Sequence, residues 1–305
     1  MQTTEFFKYA VLVPELRHHA LSYLNPGTLF NYSQCSKYCN AEIQELNTKP
    51  PEYVSICEKD NGILAKSVYR KLDKSFKPTK HLTSTKKNNF PFTSFASFEE
   101  TMEEVEKYII SLYRYVKEEH TERLKLKLRK WPDEIMKIKS LSKLEHFTIF
   151  VMDNAILDGF IEFAKTSATQ TKTLSIMHHR KIIPITSPTV KQLFNTKYFK
   201  KVEEVTIRLE CEIDDESFLS LENSDIHIKL KNRLISDEAV RQKVARLNKS
   251  PKAFKMEMEF DWSSSFKFDL EEMLPNHLQL RRPYRIGSVS ADVSNDGKRL
   301  CLISN

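Results

Sequence analysis

The sequence has 305 residues, of which 40% are apolar and 10% aromatic, enough to bury a substantial core in one elongated or two compact domains. Its 48 basic and 41 acidic residues leave a net charge of +7, and such interleaving points to a solvated surface rather than a nucleic-acid footprint. With 5 Gly, no GxGxxG and no GxxxxGK[ST], nucleotide-binding folds have little to stand on.

The stretch Val11–Asn40 reads as two short amphipathic helices parted by Asn25-Pro26-Gly27. Pro14 suits a first helical position, where a missing N–H costs nothing. Leu16, Ala20, Leu21 and Leu24 recur at roughly helical spacing. Thr28 can cap a second helix carrying Leu29, Tyr32, Cys35 and Cys39, which can run on through Ile43 and Leu46 to Lys49-Pro50-Pro51. Helices this short cannot close a core alone, so the stretch needs a partner, either the rest of the chain or another protein.

Tyr53–Cys57 is short and β-prone, a first strand. Ser75–Ser97, rich in Lys, Thr, Asn and Pro, reads as a long loop or a mobile insertion. Ser97 can cap a long helix on which Met102, Val105, Ile109, Leu112 and Val116 fall three or four residues apart. Arg123–Trp131 then alternates strictly, with Leu124, Leu126 and Leu128 on one face and basic residues on the other, the pattern of a half-buried strand. Its cationic face reads first as the solubilising device of an edge strand, and second as a docking stripe for an acidic partner.

From there a loose repeat runs toward the C-terminus. β-like runs at Leu144–Phe150, Lys172–Met177, Val202–Leu209, Asp225–Leu230 and Ala253–Phe260 begin roughly 20 to 30 residues apart, with helical candidates at Ala155–Thr166, Ser187–Phe194, Asp215–Leu221 and Ser236–Leu247 between them. Strand, loop and helix repeated in this way predict stacked units that bury their faces against neighbours.

Chemistry is hard to find. The 5 cysteines form no CxxC, and Cys35 and Cys39, one turn apart on the apolar side of the second helix, read as buried thiols. His18-His19 and His178-His179 are adjacent pairs that point to different faces, so neither chelates one metal unaided, and no HExxH is present. The acidic groups Asp214-Asp215-Glu216 and Asp269, Glu271 and Glu272 precede or open helices, where carboxylates favour the dipole. No Gly-x-Ser-x-Gly occurs, so no catalytic residue, cofactor or metal site is assigned and an enzyme is not expected. With no apolar run of membrane-span length and no signal-peptide pattern at the N-terminus, an intracellular protein, cytoplasmic or nuclear, is expected.

Read on its motifs, the opening stretch resembles an F-box, the helical module that binds the Skp-type adaptor of Skp–cullin–F-box ubiquitin ligases. The matching segments are Leu12-Val13-Pro14-Glu15-Leu16, Leu21-Ser22-Tyr23-Leu24-Asn25-Pro26 with Leu29, and Cys35-Ser36-Lys37. Pro14 lies one position later than is usual for that family, Thr28 replaces a common Asp, and Cys39 a common Trp. The C-terminal half resembles the F-box-associated, FTH-type domain of nematode F-box proteins through Asp225–Leu230, Leu234–Glu238, Leu247–Lys255 and the closing segments Arg282–Ile286 and Ser290–Val293.

These resemblances imply an α+β protein: an F-box over residues 5–48, a connecting α/β region over 49–140, and an irregular leucine-rich-like α/β solenoid over 141–305. They imply a substrate receptor without chemistry of its own, in which Leu12, Pro14, Leu16, Leu21, Leu24, Pro26, Leu29, Tyr32 and Cys35 meet the Skp-type adaptor, and through it a cullin, while the repeats hold a target protein. Two other readings stay open. The N-terminal helices could cap the chain's own solenoid as part of a scaffold, or the basic segments Lys77–Lys87 and Arg123–Lys130 could bind nucleic acid.

Overall fold

A computed structural model describes residues 13–22, 24, 28, 32, 35–45, 50–59, 62–69, 86–93, 98–113, 116, 120–178, 185–230, 235–250, 252–260, 284–286, 288–293 and 299–304. In chain order the elements are α1 (Pro14–Ser22), α2 (Lys37–Glu45), β1 (Tyr53–Lys59), β2 (Gly62–Tyr69), β3 (Lys86–Thr93), α3 (Phe98–Tyr113), β4 (Arg123–Leu128), α4 (Asp133–Met136) and a 3-10 turn (Lys139–Leu141). Then follow β5 (Lys143–Val151), α5 (Asn154–Thr166), β6 (Gln170–His178), α6 (Ser187–Phe194), α7 (Lys197–Lys201), β7 (Glu204–Cys211), α8 (Asp215–Ser220), β8 (Asp225–Leu230), α9 (Asp237–Lys249) and β9 (Phe254–Phe260). The last strands are β10 (Tyr284–Ile286), β11 (Val289–Val293) and β12 (Arg299–Ser304).

The chain forms two compact units whose segments interleave. Unit 1 comprises Met1–Tyr53, Asp60–Thr121 and Pro132–Leu141; unit 2 comprises Val54–Lys59, Glu122–Trp131 and Ser142–Asn305. The expected connecting region is thus divided: its strands β1 and β4 lie in the sheet of unit 2, while the helix and hairpin around them lie in unit 1.

In unit 1, α3 packs on β2 and β3 and touches α4. Met102, Val105 and Ile109 are buried as their spacing predicts, and Ile63 and Ala65 of β2 are buried too. The Tyr113 hydroxyl lies 2.6 Å from Thr121 Oγ1 in a buried contact that ties the end of α3 to the following turn. The segment expected as a loop at Ser75–Ser97 instead contributes β3, paired antiparallel with β2 from Gly62↔Thr93 to Tyr69↔Lys86. Its sequence KKNNFPFT lacks clear period-two alternation, so the strand is defined by its backbone pairing with β2 and not by its own pattern. The remainder of that segment before Lys86 lies outside the described residues.

Unit 2 is a mixed α/β body built on an open sheet of ten strands in the order β10-β11-β12-β9-β8-β7-β6-β5-β4-β1. From β4 to β9 each strand lies parallel beside the next one in the chain. β12 pairs antiparallel with β9, β11 with β12, and β10 with β11. The α+β expectation is corrected to this alternating, mostly parallel α/β arrangement. Parallel neighbours need a crossover, and α5, α6 with α7, α8 and α9 supply the last four. α5 touches α6 and α7, α6 touches α7 and α8, and α8 touches α9, so they form one layer.

Alternation decides which face that layer covers. Leu124, Leu126 and Leu128 of β4, Phe147, Ile149 and Val151 of β5, Val205, Ile207 and Leu209 of β7, and Ile226, Ile228 and Leu230 of β8 are all buried. The residues between them are half-buried or exposed, so the opposite face is only partly covered. β4 is not an edge strand. It lies between β5 and β1, and Glu58 of β1 fastens its far end: Arg129 Nε lies 2.8 Å from one carboxylate oxygen, and the Arg129 backbone N–H donates to the other at 3.1 Å.

The apolar layer is densest around Trp131, whose ring centroid lies 5.6 Å from Phe160, 5.2 Å from Phe163 and 6.3 Å from Phe147. Gly159 lets α5 approach that ring: a Cβ built at position 159 would sit 2.2 Å from Trp131 Cβ. A glycine inside a helix is unfavourable by about 1 kcal/mol against alanine, and here the close approach requires it. Two buried polar groups hold the loops between helix and strand. Asn223 Nδ2 donates to the carbonyls of Phe199 and Val202 at 2.8 and 2.7 Å, and the Tyr198 hydroxyl donates to Thr171 Oγ1 at 2.8 Å.

Lys243, on the inner side of α9, is only 3% exposed. Its ammonium donates to the Leu221 carbonyl and lies 5.1 Å from the Phe254 ring and 6.0 Å from that of Phe218. Burial pulls its pKa down to about 8, against the pull of the Glu222 charge.

Two predictions follow from this packing. Gly159→Ala should lower stability by at least about 1–3 kcal/mol through overpacking against Trp131, read as a shift of the urea midpoint. For Lys243, the folded pKa of about 8 lies below the unfolded value of about 10.4, so folding disfavours the charged form. That penalty is complete below pH 8 and fades as pH rises toward 10.4. The stability of Lys243→Met relative to the unaltered chain should therefore fall by about 3 kcal/mol between pH 7 and pH 10.5, measured by urea unfolding at both pH values.

Candidate functional site

The N-terminal helices are built around a buried carboxylate. Pro14 opens α1 at its first position, and the carbonyl of Val13 accepts from Leu16 and Arg17 at 3.0 and 3.1 Å. One turn apart on the inner side of α1, Arg17 and Leu21 face α2, with Leu21 1% exposed. Arg17 Nε lies 2.7 Å from Glu42 Oε1, and the Tyr32 hydroxyl donates to Glu42 Oε2 at 2.8 Å. The Arg17 guanidinium also stands 5.5 Å from the Tyr38 ring. Burial, then the hydrogen bond to Glu42, raises the Tyr32 phenol above its ordinary value, so it remains a neutral donor. Glu42 thus joins α1, the intervening segment and α2.

Beside this inner side, α1 and its two flanks expose apolar groups, while the exposed Glu15 and His19 stand on the far side of the helix. Val13 and Leu16 are each 54% exposed, Ala20 is exposed, and Leu24 is 39% exposed. Their spacing of three, four and four residues runs along one side of a helix. Tyr38 of α2 adds a 56% exposed ring. Four of the five exposed large apolar side chains among the described residues lie in this short stretch. Surface apolar groups are ordinary singly, whereas a contiguous set marks a place where something docks.

The expected adaptor-binding residues divide accordingly. Leu16, Leu24 and Cys35 are exposed, Leu21 is interior, and Tyr32 is half-buried on Glu42. Pro14 begins α1, and Leu12, Pro26 and Leu29 lie outside the described residues. Cys35 is exposed and Cys39 half-buried, so they are not the buried pair expected: the Cys35 side chain is turned away from the inner side. The expected single second helix is also divided: Ser36 Oγ accepts from the Cys39 backbone N–H at 3.0 Å and caps α2 where it starts at Lys37.

The acidic cluster at the start of α8 is occupied by structural bonds. Asp214 caps α8, accepting from Ser217 N–H at 2.8 Å and from the Ser187 hydroxyl at 3.2 Å. Asp215 accepts from the backbone and hydroxyl of Ser236, the cap of α9, at 2.6 and 2.7 Å, and Glu216 pairs with Lys191. Asp269, Glu271 and Glu272 lie outside the described residues, as does His179; the side chain of His18 is likewise not described, while His19 and His178 are exposed.

A histidine missed by motif reading, His227, stands between two carboxylates on the open face of the sheet, where its Nδ1 is 3.9 Å from Glu257 and its Nε2 3.8 Å from Glu259. The two carboxylates approach opposite ring nitrogens, and Arg299 holds Glu257 at 3.2 Å, so the trio reads as a polar cluster and not a chelate. Lys229–Glu210 and Lys255–Asp225 pairs lie on the same side of the sheet.

The chain matches no protein-family model, no curated protein and no solved structure. Among the described residues no helix is long and apolar enough to cross a membrane.

The Glu42 knot generates a prediction. Glu42→Gln removes the charge that faces the largely buried Arg17 and should loosen the α1–α2 pair by about 3 kcal/mol, and Tyr32→Phe by about 1.5 kcal/mol. Both should speed amide hydrogen exchange in α1 and α2 and leave β5–β8 protection unchanged.

Proposed function

We propose that the protein is a substrate-recognition subunit of a Skp–cullin–F-box ubiquitin ligase, binding the Skp-type adaptor through its N-terminal helices and a target protein through the parallel-sheet unit. The observation that carries this reading is the set of exposed apolar groups on and next to α1: Val13, Leu16, Ala20 and Leu24 on the surface, with Arg17 and Leu21 directed inward. Val13, Leu16 and Leu24 belong to the segments whose pattern resembles an F-box. A helix that lays an apolar stripe into a partner's groove needs this division of faces.

The reading of unit 2 as an irregular leucine-rich-like solenoid is supported by the six strands β4–β9 running parallel in chain order beside a single helix layer. In such a receptor, reaction depends on holding a target near the ligase, so proximity takes the place of an active site.

Burying a leucine side chain contributes about 1.5–3 kcal/mol, so Leu16→Glu with Leu24→Glu should weaken adaptor binding by more than about a hundredfold. Co-expression with a Skp-type adaptor and affinity capture reads this directly. Because both side chains are exposed, the urea midpoint of the double variant should stay within about 0.5 kcal/mol of the original. Undiminished capture of the adaptor would sink the assignment.

A further inference from the structure

The cationic stripe of β4 requires an explanation once β4 is found inside the sheet. Lysines and arginines on an edge strand deter pairing with other chains, but β4 has β5 on one side and β1 on the other. Arg123, Lys125 and Lys127 therefore serve no edge. They alternate with the buried Leu124, Leu126 and Leu128 and so share the open face. Among the described residues none of the three has a carboxylate within ion-pair distance; Lys125 lies over the Phe150 ring at 4.7 Å instead.

Register places neutral residues beside them. Arg123 is level with His146, Lys125 with Thr148 and Lys127 with Phe150; Thr148 is level with Ser175, and Phe150 with Met177. Beyond β6 the same face changes character, because its lysines and arginine on β8, β9 and β12 are paired with carboxylates. The open face thus has a side on which Lys229, Lys255 and Arg299 are paired, with Arg208 of β7 as the exception, and a side with three parallel cations, next to hydroxyl and apolar groups, that meet no carboxylate among the described residues.

We propose that this part of the open face, centred on Arg123, Lys125 and Lys127 with Phe150 and Met177 beside them, binds an extended acidic segment of a target protein; the inference rests on the receptor reading above for its biological meaning. Cations at alternate positions of one strand are about 7 Å apart, the spacing of carboxylates at alternate positions of an extended chain. Charge complementarity chooses the sign, and the neighbouring Phe150 and Met177 offer apolar contact to the side chains between. A nucleic acid fits less well. Its phosphates continue in both directions, and on the β8–β12 side they find Lys229, Lys255 and Arg299 already engaged by carboxylates.

The test uses the full chain and fluorescence anisotropy at low ionic strength, with three labelled probes: a peptide of about twelve residues alternating Glu and Thr, its Lys-Thr counterpart, and a single-stranded oligonucleotide of similar charge. The Glu-Thr peptide should bind, more weakly as salt rises. Arg123→Gln with Lys125→Gln and Lys127→Gln should weaken it at least about tenfold, while the matched charge loss Lys197→Gln, Lys200→Gln and Lys201→Gln on α7 should leave it unchanged. Reversal of all three β4 cations to Glu should transfer binding to the Lys-Thr peptide, a gain that an unfolded variant cannot produce. No binding of the Glu-Thr peptide, equal binding by the Gln triple variant, or tighter binding of the oligonucleotide at the same residues would each overturn the proposal. Adaptor capture by the Gln triple variant, run in parallel, should be normal; its failure with the unaltered chain would strike the receptor reading instead.

Discussion

The constraint on which unit 2 depends is that alternate residues of neighbouring strands agree. A strand has two faces, and a slip of one residue exchanges them. From β4 to β9 the apolar positions are level across the sheet: Leu126 with Ile149, Ile149 with Ile176, Ile176 with Ile207, Ile207 with Ile228, and Ile228 with Met258. That agreement gives a continuous dry face for the helices to cover. With the helices in one layer, the second face remains for other purposes. Gly159 and Trp131 are local consequences, since a helix that covers this face must come close to it.

The N-terminal helices obey a different rule. They have little apolar area to share, and a buried carboxylate does part of what a core does elsewhere. Such a group is tolerated only with its charge met and its oxygens bonded, as Arg17 and Tyr32 do for Glu42. Specificity of geometry follows from this. An ion pair and a hydrogen bond converging on one side chain hold α1 and α2 in a defined relation, which a few leucines alone would specify less sharply. The outward stripe on α1 is kept outward by what Arg17 and Leu21 do inward.

Much of this was legible in the sequence where periodicity speaks. Asp225–Leu230 is a strand with the expected bounds, Ser236 caps α9, and the helices at Ser187–Phe194 and Asn154–Thr166 lie where the spacing places them. Alternation assigned faces correctly for Arg123–Leu128, yet it carries no information on lateral neighbours, so the edge-strand reading failed. The hairpin of β2 and β3 was hidden because Lys86–Thr93 owes its form to a partner strand and not to its own pattern. At the N-terminus, spacing singled out Leu16, Leu21 and Leu24 together and could not separate the interior one from the two outside. Glu42 attracted no notice, because its role needs Arg17 and Tyr32 brought to it by folding. The interdigitated units, with Val54–Lys59 and Glu122–Trp131 in one sheet, show the same limit of contiguous reading.

The antiparallel pairing of β12 with β9 has a consequence for how the chain is made. β9 is the last of the parallel strands, and its outer backbone groups are met by Arg299–Ser304, some forty residues later. During synthesis every parallel strand and its helix can emerge and stack in order, each covering the one before it. The growing sheet nevertheless presents one unpaired border, which moves outward strand by strand and is sealed only when residues near position 300 leave the ribosome. Until then the nascent protein carries a sticky margin of Phe254, Met256 and Met258.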